Sequence, residues 1–475
     1  MPIQTPDWVK DAVFYQIFPD RFARSEAVPK PTNLEPWESP PTPHGYKGGD
    51  LIGVVEHLDY LEALGITAIY FNPIFQSASN HRYHTHDYYR VDPILGGNEA
   101  FRVLLDAAHA RGIRVVIDGV FNHASRGFYQ FNSILEDGEK SPYIDWFHIN
   151  GFPLHAYETS KLPNYAAWWN LHALPKFNTD NPAVREFIWG VAEHWIHFGA
   201  DGWRLDVPEE IDDDSFWQEF RRRVKAANPE AYIVGEIWFP AQRWLQGDQF
   251  DAVMNYLFTR PAIGFFGRCT LSGLHSGPYT IDPIDAAAFA AQIEQTVTMY
   301  DWEIVQAQLN LLGSHDTPRF LSMVGEDVSA LKLATLCQMT LPGAPCVYYG
   351  DELGLTGGYE PASRNTIPWD RVNALQGDLW HTVQEAIALR KAHPVLRRGS
   401  YQTVLAEGDR LAYRRDLNGV SALVVFNTGQ DPARYDLPFG SRFAVAFGAP
   451  EAVQHDGEQV QLTLPARSGA VLITA

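Results

Sequence analysis

Several short apolar runs of this sequence end in acidic, basic or aromatic side chains. At any one of these positions, a helix cap or a structural ion pair is the ordinary explanation. Four runs that end in this way, and whose ends would meet at one place in a barrel of parallel strands, indicate a catalytic site instead. The side chains at or just beyond these ends are Asp118, Asn122, His123, Arg204, Asp206, Glu236, Trp238, His315 and Asp316.

Carboxylate chemistry is what these residue types suggest. Asp206 and Glu236 end consecutive apolar runs, so neighbouring strands would hold them across a cleft, about 5–6 Å apart, as a retaining glycosidase requires. Arg204 lies two residues before Asp206 and points to the same side of the strand, where its charge favours the ionised form of a nucleophile. The pattern therefore predicts a nucleophile and an acid on adjacent strands.

A catalytic metal is the alternative, because His81, His84 and His86 form a cluster that includes a His-x-His pair. Metal-dependent barrel hydrolases also need histidines at the ends of other strands. There the sequence offers Glu236 and the single His315. We therefore expect no catalytic metal.

The alternation of apolar and amphipathic runs along the chain indicates a fold that brings distant strand ends together. From residue 12 to about 392, short unalternating apolar runs alternate with longer amphipathic ones, as in parallel strands covered by helices on both faces. Eight such runs predict a (β/α)₈ TIM barrel, whose strand ends meet at one mouth. The runs are 12–18, 66–71, 113–118, 202–207, 232–236, 252–257, 308–313 and 345–349.

Two segments depart from this rhythm. The stretch after the third run is too long for a βα loop and predicts a small inserted domain over 122–181. After residue 393, short alternating runs separated by turn residues predict a carboxy-terminal all-β sandwich over 394–475. The barrel itself is expected over 1–121 and 182–393.

The composition restricts the classes of partner. The 475 residues carry 37 basic and 57 acidic side chains, a formal charge of −20, which disfavours nucleic acid and anionic membranes. Three cysteines cannot form a disulfide framework, and the amino terminus lacks the regions of a signal peptide. No apolar run is long enough to span a membrane, so we expect a cytoplasmic protein. Aromatic residues reach 13%, and some of them are candidates for stacking on sugar rings.

The sequence resembles the α-amylase family of glycoside hydrolases (family 13) over nearly its whole length. Four hallmark motifs of that family occur in order at the predicted strands, and the ordered set is far more specific than any single motif. The motifs read Asp118-Gly-Val-Phe-Asn-His123, Gly202-Trp-Arg-Leu-Asp206, Gly235-Glu-Ile-Trp238 and His315-Asp-Thr-Pro-Arg319.

The resemblance implies a role for each matching residue. Asp206 would be the nucleophile that forms a covalent glycosyl-enzyme, Glu236 the acid that protonates the leaving oxygen and then activates water, and Asp316 a carboxylate that holds hydroxyls of the distorted sugar. Asp118 and Asn122 would brace the mouth of the third strand. The residues expected to contact substrate are Tyr83, His123, Phe177, Arg204, Trp238, His315 and Arg319.

Within the family, Leu174-Pro-Lys-Phe-Asn178 is similar to a signature of cyclomaltodextrinases, neopullulanases and maltogenic amylases. The likeness implies cleavage of α-1,4-glucosidic bonds in maltooligosaccharides and cyclodextrins, with some transglycosylation. Pro208-Glu-Glu210 stands where this group has Ala-Asn-Glu, next to the acceptor subsite, so the balance of hydrolysis and transfer stays open. A glucanotransferase or a sucrose- or trehalose-converting enzyme also stays open, because only the acceptor differs. A non-catalytic binding subunit is disfavoured, since all three carboxylates are present.

Two departures from this group bear on partners. Its members carry an amino-terminal β-domain used in dimer formation, whereas here the barrel begins by residue 12, and the oligomeric state is left open. The segment from Arg24 to His44 lacks the usual calcium ligands and leaves Asp50 with few oxygen partners, whereas calcium takes six or more. Lys176 is expected to supply positive charge where amylases hold another calcium. We predict no metal, no cofactor and an oligosaccharide as the partner.

Overall fold

The computed structural model describes residues 2–274 and 280–474. Its centre is a sheet of eight parallel strands in the spatial order sixth, fifth, fourth, third, second, first, eighth and seventh. A bridge between Met254 and Leu309 joins the two outer strands, so the sheet closes into the predicted (β/α)₈ barrel. From first to eighth, the strands are Phe14–Ile17, Ala68–Phe71, Arg114–Gly119, Gly202–Leu205, Tyr232–Gly235, Ala252–Val253, Leu309–Leu311 and Ala344–Tyr348.

Helices surround this ring and begin and end at recognisable caps. In one of them the Asn181 side chain accepts from the N–H of Ala183, and Gly199 ends the helix with φ +119°. The outer helices are Leu51–Glu56, Leu58–Leu64, Gly97–Ala110, Pro182–Phe198, Asp214–Ala227, Tyr256–Phe266, Ala286–Met299, Val328–Thr340 and Asp378–Ala392. Shorter helices are Asp7–Asp11, Pro19–Phe22, Trp302–Ala307, Phe320–Met323, Val372–Leu375 and Pro394–Arg398. Among the helices that the structure describes, none is long and apolar enough to cross a membrane.

A hairpin that the sequence pattern did not indicate follows the second barrel strand. Strands Phe75–Ser77 and Thr85–Val91 pair antiparallel, and Tyr83 lies in the turn between them. The register of the pair shifts twice, so its residues do not show the regular alternation by which a strand is recognised. The hairpin is what brings Tyr83 to the mouth of the barrel.

The segment between the third strand and helix Pro182–Phe198 is held by isolated bridges and by an aromatic core. It contains helix Tyr129–Asp137 and the 3₁₀ turns Gly138–Lys140, Ile144–Trp146 and Trp168–Asn170. Phe147 pairs with Phe177 along the backbone, and Phe128 packs its ring edge-on against Phe177. A further bridge, His123 to Lys176, ties this segment to the end of the third strand. The insertion is therefore fixed relative to the barrel mouth.

Two antiparallel sheets form the carboxy-terminal sandwich that the sequence predicts. Apolar side chains such as Leu423, Tyr435 and Leu462 fill the space between them. Arg415 binds the sandwich to the barrel by donating to the carbonyl oxygens of Leu396, at 2.7 Å, and Thr340. In spatial order the sheets are Gln402–Glu407, Arg410–Leu417, Val420–Asn427, Ser468–Thr474 and Phe443–Phe447, and Ala433–Leu437, Gln459–Leu464 and Glu451–Asp456.

Candidate active site

A single buried guanidinium, that of Arg204, lies at the centre of the barrel mouth. Its Nη1 donates at 3.0 Å to both carboxylate oxygens of Asp118 and to Oδ1 of Asp206. Its Nη2 lies 2.8 Å from Oε2 of Glu236, an ionic contact that is not aligned as a hydrogen bond. Carboxylates from the third, fourth and fifth strands therefore share one positive charge, as the rigid fork of an arginine allows.

Glu236 has three neighbours that fix its carboxylate. Besides Arg204, the indole N–H of Trp238 donates to Oε1 at 3.2 Å, and the backbone N–H of Val207 donates to Oε2 at 3.2 Å. Val207, the residue after Asp206, has φ +36°, a left-handed conformation that a β-branched residue rarely adopts. The turn after the fourth strand thus places the backbone N–H of Val207 against the carboxylate of Glu236, which follows the fifth strand.

Tyr83 and His315 form a second cluster around Asp118. The Tyr83 hydroxyl donates to Asp118 Oδ2 at 2.9 Å and lies 2.7 Å from Nε2 of His315, with the two rings parallel. The side-chain amides of Gln16 and Asn72 donate to His315 Nδ1, both at 3.0 Å, which assigns the ring proton to Nε2. Burial lowers the pKa of His315 well below its ordinary value, so the ring is a neutral donor.

Asp316 is held from both sides. His315 Nε2 lies 3.0 Å from one carboxylate oxygen, and Arg364 Nη2 donates to the other at 3.2 Å. Arg364 is itself fixed by the carbonyl oxygen of His315, at 2.9 Å, and by an ion pair with Glu360. The carboxylate is thus held in place while it remains more open to solvent than the other three.

Burial dominates the proton affinity of this carboxylate cluster. It raises the pKa of Asp118 to about 6 and that of Asp316 to about 7, against the opposing charges of Arg204 and Arg364. Burial also raises the pKa of Asp206, with Arg204 opposing and Glu236 adding to the rise. Arg204 does favour the ionised form of Asp206, as expected. Its effect on the pKa of Asp206 is nevertheless smaller than the opposite effect of burial.

Phe177 and Arg319, both expected to contact substrate, are packed against other protein groups in this structure. Phe177 is 3% exposed and stacks on Phe147 within the aromatic core of the insertion, which does not support the expected contact with sugar. Arg319 is fully buried, donates to Asp351 at 2.7 Å and lies against the ring of Tyr348, so it braces the eighth strand instead. Sequence motifs place such residues near a site but do not show which way their side chains point.

His123 and Trp238 take different places in the site. The imidazole of His123 is 1% exposed, and its Nε2 has no partner among the described residues, while Asn122 lies 3.2 Å from Nδ1. Trp238 stacks on Tyr256 at 3.6 Å between centroids. Nε2 of His123 therefore makes no well-aligned hydrogen bond among the described residues, and Trp238 forms a rigid surface beside Glu236.

Four further residues also belong to the site, and one of them, Glu209, lies in the segment noted above as a departure from the family group. Gln16 and Asn72 lie at the ends of the first and second strands, where the rule of strand ends could have found them. Arg364 comes from a turn after the eighth strand and carries no pattern of its own. Glu209, in the turn after Asp206, has a pKa raised by burial to about 7 and a buried oxygen with no hydrogen-bond partner in the part of the chain that the structure describes.

The residues at the family's calcium loop do not fit a calcium ion. Oδ2 of Asp50 accepts from the backbone N–H of Ser25 and pairs with the Lys30 ammonium, both at 2.8 Å, and Oδ1 accepts from the N–H of Gly53. Nitrogen donors thus take up both oxygens of this carboxylate, whereas calcium needs several free oxygens. The ammonium of Lys176, which is expected to supply positive charge where amylases hold another calcium, pairs with Glu210 at 2.7 Å. Within residues 2–274 and 280–474, no three His, Cys, Asp or Glu side chains group to hold a metal.

A parallel (β/α)₈ barrel with a carboxylate cluster around one arginine at its mouth defines the class of barrel glycoside hydrolases. The family described as "Alpha amylase, catalytic domain" matches residues 16–374. The chain belongs to this α-amylase family and is a glycoside hydrolase.

Three relatives illustrate the likeness. A cyclomaltodextrinase of Geobacillus thermopakistaniensis is 43% identical over 443 residues, which cover 92% of this chain and 72% of that protein. An intracellular maltogenic amylase of Bacillus subtilis is 38% identical over 431 residues, 90% of this chain and 70% of that protein. The solved structure of a debranching enzyme from Nostoc punctiforme superimposes with a TM-score of 0.92 at 50% identity, covering 99% of this chain and 100% of that one.

Proposed function

We propose that this protein hydrolyses α-1,4-glucosidic bonds of maltooligosaccharides and cyclodextrins with retention of anomeric configuration. The observation that supports this proposal most strongly is the contact of one guanidinium, Arg204, with both Asp206 and Glu236. A shared guanidinium keeps the two carboxyl groups close, as a covalent double displacement requires. The two carboxylates come from different strands, the fourth and the fifth, so they can take the separate roles of nucleophile and acid.

In the first half of the proposed reaction, Glu236 gives its proton to the glycosidic oxygen while Asp206 attacks the anomeric carbon. The bond from that carbon to the leaving oxygen breaks, and an ester to Asp206 forms. Asp316 stands beside the cluster and holds ring hydroxyls as positive charge develops on the sugar. Arg204 stabilises the ionised form of Asp206 against the cost of its burial, through the 3.0 Å hydrogen bond.

In the second half, the Glu236 carboxylate removes a proton from water, and the water oxygen attacks the anomeric carbon. The ester bond breaks, Asp206 regains its negative charge, and Glu236 is again protonated. If the hydroxyl of a second sugar takes the place of water, the same step transfers the glycosyl group. Some transglycosylation is therefore part of the proposal, and the related transferase and isomerase activities differ from it only in the acceptor.

The choice of substrate rests on the relatives. One is named a cyclomaltodextrinase and another a maltogenic amylase, and these names support α-1,4 cleavage. A second candidate, cleavage at α-1,6 branch points, is supported by the match with the debranching enzyme over nearly the whole of both chains. The intracellular relative supports a cytoplasmic location, and the charge of −20 supports an oligosaccharide rather than nucleic acid or membrane as partner.

A product time course tests the proposal. The purified protein is incubated separately with maltotriose, β-cyclodextrin, pullulan, panose, sucrose and trehalose, and the anomer released first is determined by NMR. We expect maltose and glucose from the α-1,4 substrates, with the α-anomer formed first. Release of the β-anomer would contradict retention, and preferential cleavage of the α-1,6 bond of panose would favour the debranching candidate.

A further inference from the structure

Three aromatic rings form a continuous stack from the active site to the surface of the insertion. The ring of Trp168 stacks on the imidazole of His123 at 5.5 Å and 21°. On its other side Trp168 stacks on Trp169 at 4.5 Å and 11°. Trp169 is 75% exposed, which is unusual for the largest apolar side chain. The stack thus begins at a buried residue of the site and ends in solvent.

The backbone around the two tryptophans is fixed to the site. The N–H of Trp168 donates to the carbonyl of Leu174 at 3.0 Å, and the strand partner of Ala167 is Pro175. The next residue, Lys176, forms the bridge to His123. The pairing of Ala167 with Pro175 and that of Lys176 with His123 therefore connect the turn that carries Trp169 to His123.

The turn also holds two consecutive non-glycine residues in a left-handed conformation. Trp169 has φ +50° and Asn170 has φ +57°. Such a conformation is unfavourable for an aromatic residue and occurs preferentially at functional sites. Its effect here is to expose Trp169 instead of folding the ring into the aromatic core that takes Phe177 and its neighbours.

A second observation at the buried end of the stack points to a ligand. Nε2 of His123 is buried and makes no well-aligned hydrogen bond among the described residues, its interaction with the Tyr83 backbone being the nearest to one, whereas a buried polar atom ordinarily has an aligned partner. A sugar hydroxyl would supply one. The stack therefore joins a group that awaits a ligand to a flat apolar surface of the kind that the C–H face of a glucose ring covers.

We propose that Trp169, supported by Trp168, is a sugar-binding platform that holds a glucosyl unit of an α-glucan outside the catalytic pocket and so selects for longer chains. The inference rests on the proposed function, because it extends the same cleft. It makes Trp169 a determinant of chain-length specificity without a part in bond cleavage.

Calorimetric binding in a Glu236→Gln background, which cannot protonate the leaving oxygen, tests the platform directly. We compare maltotriose with maltoheptaose for the chain with Trp169 intact, for Trp169→Ala and for Trp169→Tyr. Removing the ring should raise the Kd for maltoheptaose about tenfold more than the Kd for maltotriose, and tyrosine should restore most of the difference. Tyr157→Ala, which removes another exposed ring of the insertion, is the matched control and should change neither Kd.

The outcomes separate this inference from the proposed function. Equal Kd changes for the two chain lengths, or no change, would overturn the platform even if the wild-type protein hydrolyses both sugars. If the wild-type protein binds maltoheptaose through Trp169 but cleaves no α-glucan, the proposed function fails while the platform stands. A change in oligomeric state on Trp169→Ala, measured by light scattering, would instead assign the exposed ring to contact with a second copy.

Discussion

Nη2 of Arg204 lies 2.8 Å from Oε2 of Glu236, and this contact joins the fourth barrel strand to the acid on the fifth. The other end of the same guanidinium binds Asp118 and Asp206. Arg204 is therefore the point at which the proposed nucleophile and the proposed acid influence each other. Because the fork is rigid, its geometry cannot be reproduced by a point charge.

Arg204→Lys tests this relationship. The lysine keeps one positive charge in the cluster but cannot contact three carboxylates at once, so we expect kcat to fall about 100-fold or more. The thermal midpoint should fall less than in Arg204→Ala, which leaves the carboxylates without a countercharge. Steady-state kinetics and circular dichroism melts measure the two effects. A lysine variant with wild-type kcat would contradict the role given to the guanidinium.

Tyr83→Phe removes a hydroxyl that donates to Asp118 and accepts from Asn72 and the neutral His315. Loss of a hydrogen bond to a buried carboxylate predicts a fall in kcat/KM of about 10- to 100-fold. Tyr165→Phe removes a hydroxyl that donates to the carbonyl of His172, outside the site, and serves as the control. If both variants lose the same small amount of activity, Tyr83 contributes stability alone.

The carboxylate cluster should make the protein less stable as the pH rises. Asp316 has a pKa raised from 3.8 to about 7, so between these values the folded state binds more protons than the unfolded state. The slope of the unfolding free energy with pH is then negative, and the contribution of the protonated carboxyl is lost as the pH approaches 7.

Urea unfolding of wild type and Asp316→Asn from pH 4 to pH 7.5 measures this effect. The amide does not titrate, so the stability of the variant relative to wild type should increase across that range. Asp248→Asn, at an exposed position, controls for the general effect of removing a charge. A constant difference between wild type and Asp316→Asn would show that Asp316 titrates alike in the folded and unfolded states.

Lys30→Met should destabilise the loop that follows the first strand. The Lys30 ammonium pairs with the fully buried Asp50. Without the ammonium, the Asp50 carboxylate keeps only backbone donors. We therefore expect the free energy of unfolding to fall by about 3 kcal/mol. Lys140→Met, at an exposed lysine, is the control.

We expect the activity of the wild-type protein to survive prolonged chelation. If chelation abolished the activity and calcium restored it, this would contradict the conclusion that the loop holds the Lys30–Asp50 ion pair in place of a calcium ion.

Much of the site follows from one rule about sequence. Carboxyl ends of parallel strands converge, so residues as distant in sequence as Asp118 and His315 could be expected at one mouth. The rule works because the strands are short, unbroken apolar runs that stand out from the helices between them. It extends to Gln16 and Asn72, although an amide side chain suggests no chemistry by itself and so gives no signal in the sequence.

The features that the sequence does not predict depend on the direction of side chains and on the course of loops. Neither leaves a periodic pattern in the sequence. Phe177 lies within a family signature yet faces the core of the insertion, while Trp169, eight residues earlier, faces solvent. Arg364 reaches Asp316 from a turn 48 residues away in sequence. In the sandwich, the pairings of strands Gln402–Glu407 and Glu451–Asp456 each contain a register shift, which interrupts regular alternation along the strand.

Trapping of the covalent intermediate tests the central claim most directly. The protein is incubated with a fluorinated α-glucosyl fluoride, which forms the glycosyl-enzyme faster than water releases it, and the peptides are analysed by mass spectrometry. We predict one added glycosyl mass on the peptide that contains Asp206, and none on Asp206→Asn, with folding unchanged. An adduct on Glu236 or Asp316, or turnover without any adduct and with inverted product, would contradict the account.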